Sequence, residues 1–451
     1  MRLKTAMNQH KLLLIPVSLY LILSFLYLTA IPVGESPDEP GHLACIKQVI
    51  YEQQIPRLRS NVDESVLWWS RENIFSEYMC YHMPLYYLLG GATVQLVTAV
   101  TQPPYQFTLP PTNPAFGKDA PAMFSHPKPS KLGQLAQPPS LISLRILSIL
   151  AGLVTLIGTY IISNRLFPEN LYIAPLAAIL IAGWPQFLFI SRAISNDGLA
   201  TTLAIIVLVL LSGNIGKPTR LFWAALFSVL ALLTKLSVAF TVGIVAVIWF
   251  VEWRFVAFEK RQYWRVLGWM TLVWIGAALL IRFQPTLWEN WQYSFQEFSG
   301  VVAEASLLAY WQQVYVWTLS SGWAWFGWLN LMPSPLHSQV WWLIIQITFL
   351  LGLYLAWKKW QHHSSGRFLL FLLLIWCAVI LFSYLRVAAN RWQPQFRFAL
   401  AILPVLAVMS ARGLLFLSRD VYYKYLLGLI TTILFVYNLW LIGSVILPAY
   451  Q

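Results

Sequence analysis

Charge is scarce in this sequence. Asp, Glu, Lys and Arg together make up 10% of its 451 residues, against roughly a quarter in soluble domains, and that shortfall excludes an ordinary water-soluble globule. Cysteine is nearly absent too: there are three, with no C-x-x-C pair and no zinc-type spacing, which excludes the common structural metal and dithiol redox motifs. No repeat of fixed period runs through the chain. Nor does a small-residue cleavage site follow the first apolar segment, which continues into AIPVGESPDEP; the segment reads as a retained helix and not as a removed signal peptide.

What the sequence has in abundance is apolar surface. Hydrophobic residues account for 58% of the chain and the mean hydropathy is +0.63. Runs of roughly 20 apolar residues, enough to cross a bilayer as a helix, recur from Leu12 to the last few residues. The fold class is an all-α polytopic membrane protein forming one integral-membrane domain over residues 1–451. The formal charge of +13, from 30 basic and 17 acidic residues, serves first to orient such a chain, and no nucleic-acid partner is expected.

Counting Lys and Arg in the short breaks assigns sides. Lys4, Lys11, Arg165, Lys217, Arg220, the Arg254–Arg265 cluster, Lys358, Lys359, Arg367, Arg412 and Arg419 come out cytoplasmic. The parity requires residues 221 to 251 to be two short helices meeting near Thr234 and Lys235, and the count is then about eleven spans. The outward segments include a long first loop at 34–140, with the acidic motif, and an aromatic-rich loop at 283–339. Within the first, Met83 to Val100 reads as a re-entrant or interfacial helix. Cys45 and Cys80 share this loop and can pair if that side is oxidising; Cys377, in an apolar run, reads as packing.

The stretch VGESPDEPGHLACIKQV places Glu35, Asp38 and Glu39 directly after the first span. Proline disfavours the helical region for the residue before it, so Ser36 and Glu39 should be extended, with Asp38 in a tight turn and Pro40 opening a helix to about Gln53. Two readings fit the acids. They can cap that helix, where acids near the N-terminus are stabilising by about 0.3 to 1 kcal/mol, or one of them can be a general base held at the mouth of a membrane bundle.

The residues SPDEPGHLACIKQVI, then YHMPLYYLLGG, then LRILSILAG resemble, in letters and order, the GT-C superfamily of integral-membrane glycosyltransferases. In that superfamily an acidic motif follows the first span and a Pro-Leu-Tyr-Tyr-like stretch precedes the second. WPQFLFISRAISNDGLATTLA, LALLTKLSVAF, GWAWFGWLN and NRWQPQFRFALAILP are similar to a family of bacterial multi-pass membrane proteins of undefined function, itself similar to protein mannosyltransferases and lipid A aminoarabinose transferases. The likeness covers most of the chain.

The resemblance implies an inverting transferase that moves a sugar from a polyprenyl-phosphate donor, in the membrane lipid, to an acceptor it does not identify. The enzyme would lie in the inner (plasma) membrane with its site on the extracytoplasmic face. Asp38 matches the catalytic acidic position, with Glu39 a weaker candidate; Asp197 matches a second acidic position that orients the acceptor or a cation, against the alternative of a helix N-cap. Lys235 and Arg397 match basic positions for the donor phosphate. Several relatives carry a soluble domain after the last span; none is read here up to Gln451, which leaves the acceptor open.

Other residues are read from position alone. Arg145, Arg192, Arg282, Arg386 and Arg391 fall at the outward boundary against the usual inward bias of positive charge, where they can bind lipid phosphate or snorkel. His42 and His82 read as hydrogen-bonded residues or as acceptor or cation contacts. No metal site is assigned, and a divalent cation is not required by the sequence. The aromatic stretch from Trp288 to Trp328 reads mainly as a belt at the water boundary. A lipid transporter or flippase, or a non-catalytic assembly scaffold, would also need many spans; transporters, however, usually show paired halves with interrupted helices, and neither is visible in the sequence.

Overall fold

In lipid only helices and closed barrels satisfy every backbone polar group, and the apolar runs fold as helices. The computed structural model describes residues 2–58, 77–101, 109–117, 120–126, 138–256, 259–299, 307–361, 363–391 and 394–450. In chain order these form α1 (Arg2–Ala30), α2 (Glu39–Glu52), α3 (Leu85–Thr101), α4 (Pro139–Leu166), α5 (Ile173–Ala182), α6 (Pro185–Ser191), α7 (Asn196–Leu211) and α8 (Thr219–Leu232). After a short 3-10 turn come α9 (Phe240–Phe255), α10 (Lys260–Phe283), α11 (Pro285–Ser299), α12 (Leu307–Trp323), α13 (Pro335–Trp360), α14 (Ser364–Arg391), α15 (Leu403–Phe416), α16 (Tyr423–Leu441) and the single turn α17 (Leu447–Tyr450).

Among the described residues eight helical segments are long and apolar enough to cross a membrane, and the bent pair α5–α6 makes a ninth. Three shorter apolar helices, α3, α7 and α8, fall below that length, so by length and composition the described residues hold eight or nine spans and not the eleven expected. The break near Thr234 is real: α8 stops at Leu232, and the freed Leu233 carbonyl accepts a hydrogen bond from Leu85 N, 2.9 Å away, at the start of α3.

One expectation needs correcting, for a span is interrupted. α5 and α6 meet at 64° because Pro185 lacks an N–H and holds Trp184 in an extended conformation (φ −74°, ψ 111°). A neighbouring helix satisfies the exposed backbone, Asn438 Nδ2 donating to the Gly183 carbonyl at 2.9 Å, and the bend in turn ties down α12, Trp184 Nε1 donating to the Gly322 carbonyl at 2.6 Å.

Three of the basic residues assigned to the cytoplasm are held at helix ends. Arg165 of α4 donates to the Val209 carbonyl and to Ser212 Oγ just past α7. Arg220 of α8 pairs with Glu252 of α9, and Lys359 of α13 pairs with Glu169. In the interior, α13 crosses α15 at a small-residue contact: a Cβ on Gly352 would strike the Met409 carbonyl, and one on Gly413 the Thr348 carbonyl. Such close backbone approach is how helices associate where lipid gives no hydrophobic drive. Gly352→Ala should therefore cost about 1–3 kcal/mol through overpacking, whereas Gly428→Ala, with nothing within 4 Å of the added carbon, should leave the thermal midpoint of the detergent-solubilised protein unchanged or slightly raised.

Candidate active site

Although Glu35, Asp38 and Glu39 lie within five residues, each does something different. Glu35, fully buried, accepts hydrogen bonds from Met123 N (3.1 Å) and Phe124 N (3.0 Å) and contacts His126 Nε2 at 2.7 Å. It pins a distant loop onto the turn. Glu39 accepts from Gly34 N (2.8 Å) and Ile194 N (3.0 Å) and pairs with Arg145 at 3.2 Å, both side chains being fully buried. Arg145 also donates to the Ile31 and Pro32 carbonyls at 2.8 Å. Together they staple the end of α1, the start of α2 and the 192–194 segment to α4.

Only Asp38 of the three lines the cavity beside this turn. Its backbone is left-handed (φ 66°, ψ 0°), a conformation that Asp tolerates better than most L-residues. The same geometry rules out a usual N-cap, which needs an extended backbone, and the side chain makes no capping hydrogen bond to α2. Helix α2 begins at Glu39, so Glu39 is helical and not extended as the following proline suggests. Instead of capping, Asp38 Oδ2 receives Arg397 Nη2 at 2.5 Å and Oδ1 receives the Tyr78 hydroxyl at 3.2 Å.

Arg397 stands on the 3-10 helix Phe396–Ile402 that precedes α15. Its Nη1 lies 3.9 Å from Asp197 Oδ2, and among the described residues its buried Nε has no hydrogen-bond partner. Asp197 is not the cap of α7 either: Ser195 takes that place, its Oγ accepting from Asp197 N. The Asp197 carboxylate is left to pair with Lys235 Nζ at 2.6 Å, and Lys235 reaches it from the break between α8 and α9. Both cations pack on one ring, with Lys235 Nζ 5.1 Å and Arg397 Cζ 5.0 Å from the Phe398 centroid.

The cavity holding this quartet is open to one side and has His82, Ser237 and Ser294 among its other walls. Two positive and two negative side chains thus face one partly dry space. Such a space can bind a phosphate through the cations and can place a carboxylate next to an attacking hydroxyl.

Not every outward residue joins it. Arg192 is fully buried, donates to Ser36 Oγ at 2.7 Å and lies 4.9 Å from the Phe189 ring; neither it nor Glu39 lines the cavity. His42 sits behind His82, the two rings stacked at 6.2 Å. Since the Tyr87 hydroxyl donates to the Met79 carbonyl (3.0 Å), it must accept from His42, whose Nδ1 is 3.0 Å away and carries the proton. The Arg391 side chain lies outside the described part of the structure. No three His, Cys, Asp or Glu side chains converge among the described residues.

Three residues that sequence reasoning missed also shape the site: Tyr78, Phe398 and Trp328. Trp328 Nε1 donates to the Gly34 carbonyl at 3.0 Å, and Asn330 Nδ2 to the Pro121 carbonyl at 2.6 Å. Far from forming a surface belt, GWAWF packs inside, with Trp323 2% and Phe326 0% exposed, while the partly exposed Trp328 buttresses the acidic turn. Tyr78 is set in place by the Cys45–Cys80 disulfide (Cα–Cα 5.3 Å). Burial, and then the adjacent Asp38, push its phenol well above the ordinary value, so it remains a donor.

The fold has counterparts. ArnT from Cupriavidus metallidurans bound to undecaprenyl phosphate superposes with a TM-score of 0.55 at 12% identity, covering 97% of this chain and 73% of that one. ArnT in the apo state gives 0.53 at 13% identity with the same coverage. This chain has the GT-C fold. The likeness to ArnT extends over nearly the whole chain. An archaeal oligosaccharyltransferase, AglB from Archaeoglobus fulgidus in complex with an inhibitory peptide and a dolichol-phosphate, superposes less well, with a TM-score of 0.49 at 13% identity over 96% of this chain and 55% of that one. No protein-family model and no curated protein sequence matches the chain.

Two predictions separate the acids and the histidine. Glu39→Gln leaves Arg145 buried without its counter-charge and should cost roughly 3–5 kcal/mol, whereas Asp38→Asn keeps a residue suited to the left-handed turn and should fold normally by size-exclusion and thermal unfolding. Burial holds the His42 imidazole down at about 4 against 6.5. The stability tied to its neutral form is complete above pH 6.5 and is lost as pH falls toward 4. Thermal midpoints should drop between pH 7 and pH 5, and His42→Gln should shrink that drop.

Proposed function

We propose that this protein transfers a sugar from a polyprenyl-phosphate donor to an acceptor hydroxyl at the extracytoplasmic side of the membrane, with inversion. The observation that carries this reading is that Asp38, Lys235 and Arg397 line one cavity in a chain with the GT-C fold. Binding of undecaprenyl phosphate by ArnT supports a lipid phosphate as the donor's anchor. The sidedness is supported by the Cys45–Cys80 disulfide beside the cavity, which belongs in an oxidising compartment, and by the count of Lys and Arg in the short breaks.

In this reading the acceptor oxygen attacks the anomeric carbon from the face opposite the phosphate while Asp38 takes its proton. The bond from that carbon to the phosphate oxygen breaks, and the electron pair leaves with the polyprenyl phosphate. Lys235, as a point charge, and Arg397, through its fork of donors, stabilise the negative charge growing on that oxygen. Asp197 holds Lys235 in place. Tyr78 is a positioning residue that fixes the Asp38 carboxylate by one oxygen. Glycans, lipids and proteins all offer a hydroxyl of the required kind.

Purified protein incubated with a panel of polyprenyl-phosphate sugars should release polyprenyl phosphate, faster once a suitable acceptor is added. Asp38→Asn should lose about 10² to 10⁴ of that rate, the usual contribution of a positioned base. Equal release by the wild type and Asp38→Asn would remove the enzyme reading.

A further inference from the structure

Arg397 presents an unusual half-used fork. On a guanidinium, Nε and Nη2 share one edge, and a phosphate or carboxylate gripping that edge takes both N–H groups in parallel. Here Asp38 holds Nη2 alone at 2.5 Å, while Nε is buried without a hydrogen-bond partner among the described residues. Arg397 is 7% and Asp38 20% exposed, so the pair lies where its attraction is little screened. Asp38 in turn has both oxygens engaged, one by Arg397 and one by Tyr78. A carboxylate so occupied has little capacity to take a proton from an acceptor.

We infer that Arg397 masks the base until a phosphate monoester or diester takes the whole Nε–Nη2 edge, releasing Asp38 Oδ2 toward the acceptor. This rests on the glycosyl-transfer reading and adds an order to it: the lipid phosphate binds first, and only then does the cavity contain a competent base. Without donor the site is closed by its own ion pairs, the second being Lys235 with Asp197 at 2.6 Å. The Phe398 ring beneath both cations leaves them their places as the partners exchange. When the phosphate leaves at the end of a turnover, Arg397 returns to Asp38 and the empty site is closed again.

The test is a competition for Arg397. Binding of a short-chain polyprenyl monophosphate and, separately, of inorganic phosphate is measured by calorimetry on the detergent-solubilised full chain, as wild type, Asp38→Asn, Arg397→Gln and the double variant. Removing the competing carboxylate should tighten the lipid phosphate by a factor of roughly ten, within the usual span of coupling between sites. In the Arg397→Gln background that gain should vanish, whether residual binding through Lys235 is measurable or absent. Inorganic phosphate responding equally would assign the exchange to the phosphate group itself, and a response only to the lipid would make the chain part of the trigger; both agree with masking. Unchanged or weaker binding by Asp38→Asn, or an equal gain with and without Arg397, overturns the mask while leaving the phosphate site standing. No binding of either probe to the wild type or to Asp38→Asn overturns the mask and the donor reading together.

Discussion

Four charges that have left water must find one another, and this requirement organises the molecule. Asp38 and Arg397 are 359 residues apart in sequence, and Lys235 and Asp197 come from two further helix ends. Burying any one of them alone would cost several kcal/mol. Their mutual pairing brings the turn after α1, the start of α7, the break after α8 and the 3-10 lead into α15 to one cavity, and Arg397 keeps Asp197, 3.9 Å away, as a counter-charge when Asp38 is neutralised. The quartet is as much a joint between distant helices as a candidate site.

Around that joint, structure and chemistry are divided among neighbouring residues. Glu39 with Arg145 anchors the turn, Glu35 anchors the 123–126 loop, and Trp328 reaches Gly34 from the other side. Asp38 is thereby left with few structural duties beyond its own pair. Backbone strain at a left-handed non-glycine residue persists only where the surroundings over-determine it, and at Asp38 they do. A carboxylate placed by such a scaffold can exchange partners without the scaffold moving, which a reaction that passes Arg397 between a carboxylate and a phosphate requires.

Much of this was legible in the sequence, for different reasons. Hydropathy gave the many-span helical fold, though with about eleven spans against the eight or nine found, and charge parity placed the break at Lys235, because a lysine between two short apolar runs is costly inside a continuous span and tolerable where two helices meet near the boundary. Asp38, Asp197, Lys235 and Arg397 were identified through resemblance in motif order, and the structure brings the four together. Direction was not legible. Nothing in the letters D-E says that the first acid turns into a cavity and the second into the core; a single left-handed φ decides it, and the rule that proline biases its predecessor toward extended structure pointed the other way for Glu39. Arg192 misled because an arginine at the membrane boundary looks alike whether it faces a lipid headgroup or Ser36. GWAWFGWLN misled because aromatic density is common to belts and to buried buttresses, and only tertiary packing separates them. The 64° bend at Gly183–Pro185 had its signal in Pro185, which the apolar run on either side outweighed.

The central claim is that one cavity brings a lipid phosphate and the Asp38 carboxylate together. A cryo-electron microscopy structure of the full chain in lipid nanodiscs with a polyprenyl monophosphate tests it most directly. The account predicts phosphate oxygens about 2.7–2.9 Å from Lys235 Nζ and from the Arg397 Nε–Nη2 edge, with Asp38 in the same cavity and no longer on Nη2. A headgroup bound elsewhere on the bundle, with the Asp38–Arg397 and Asp197–Lys235 pairs intact, would contradict it.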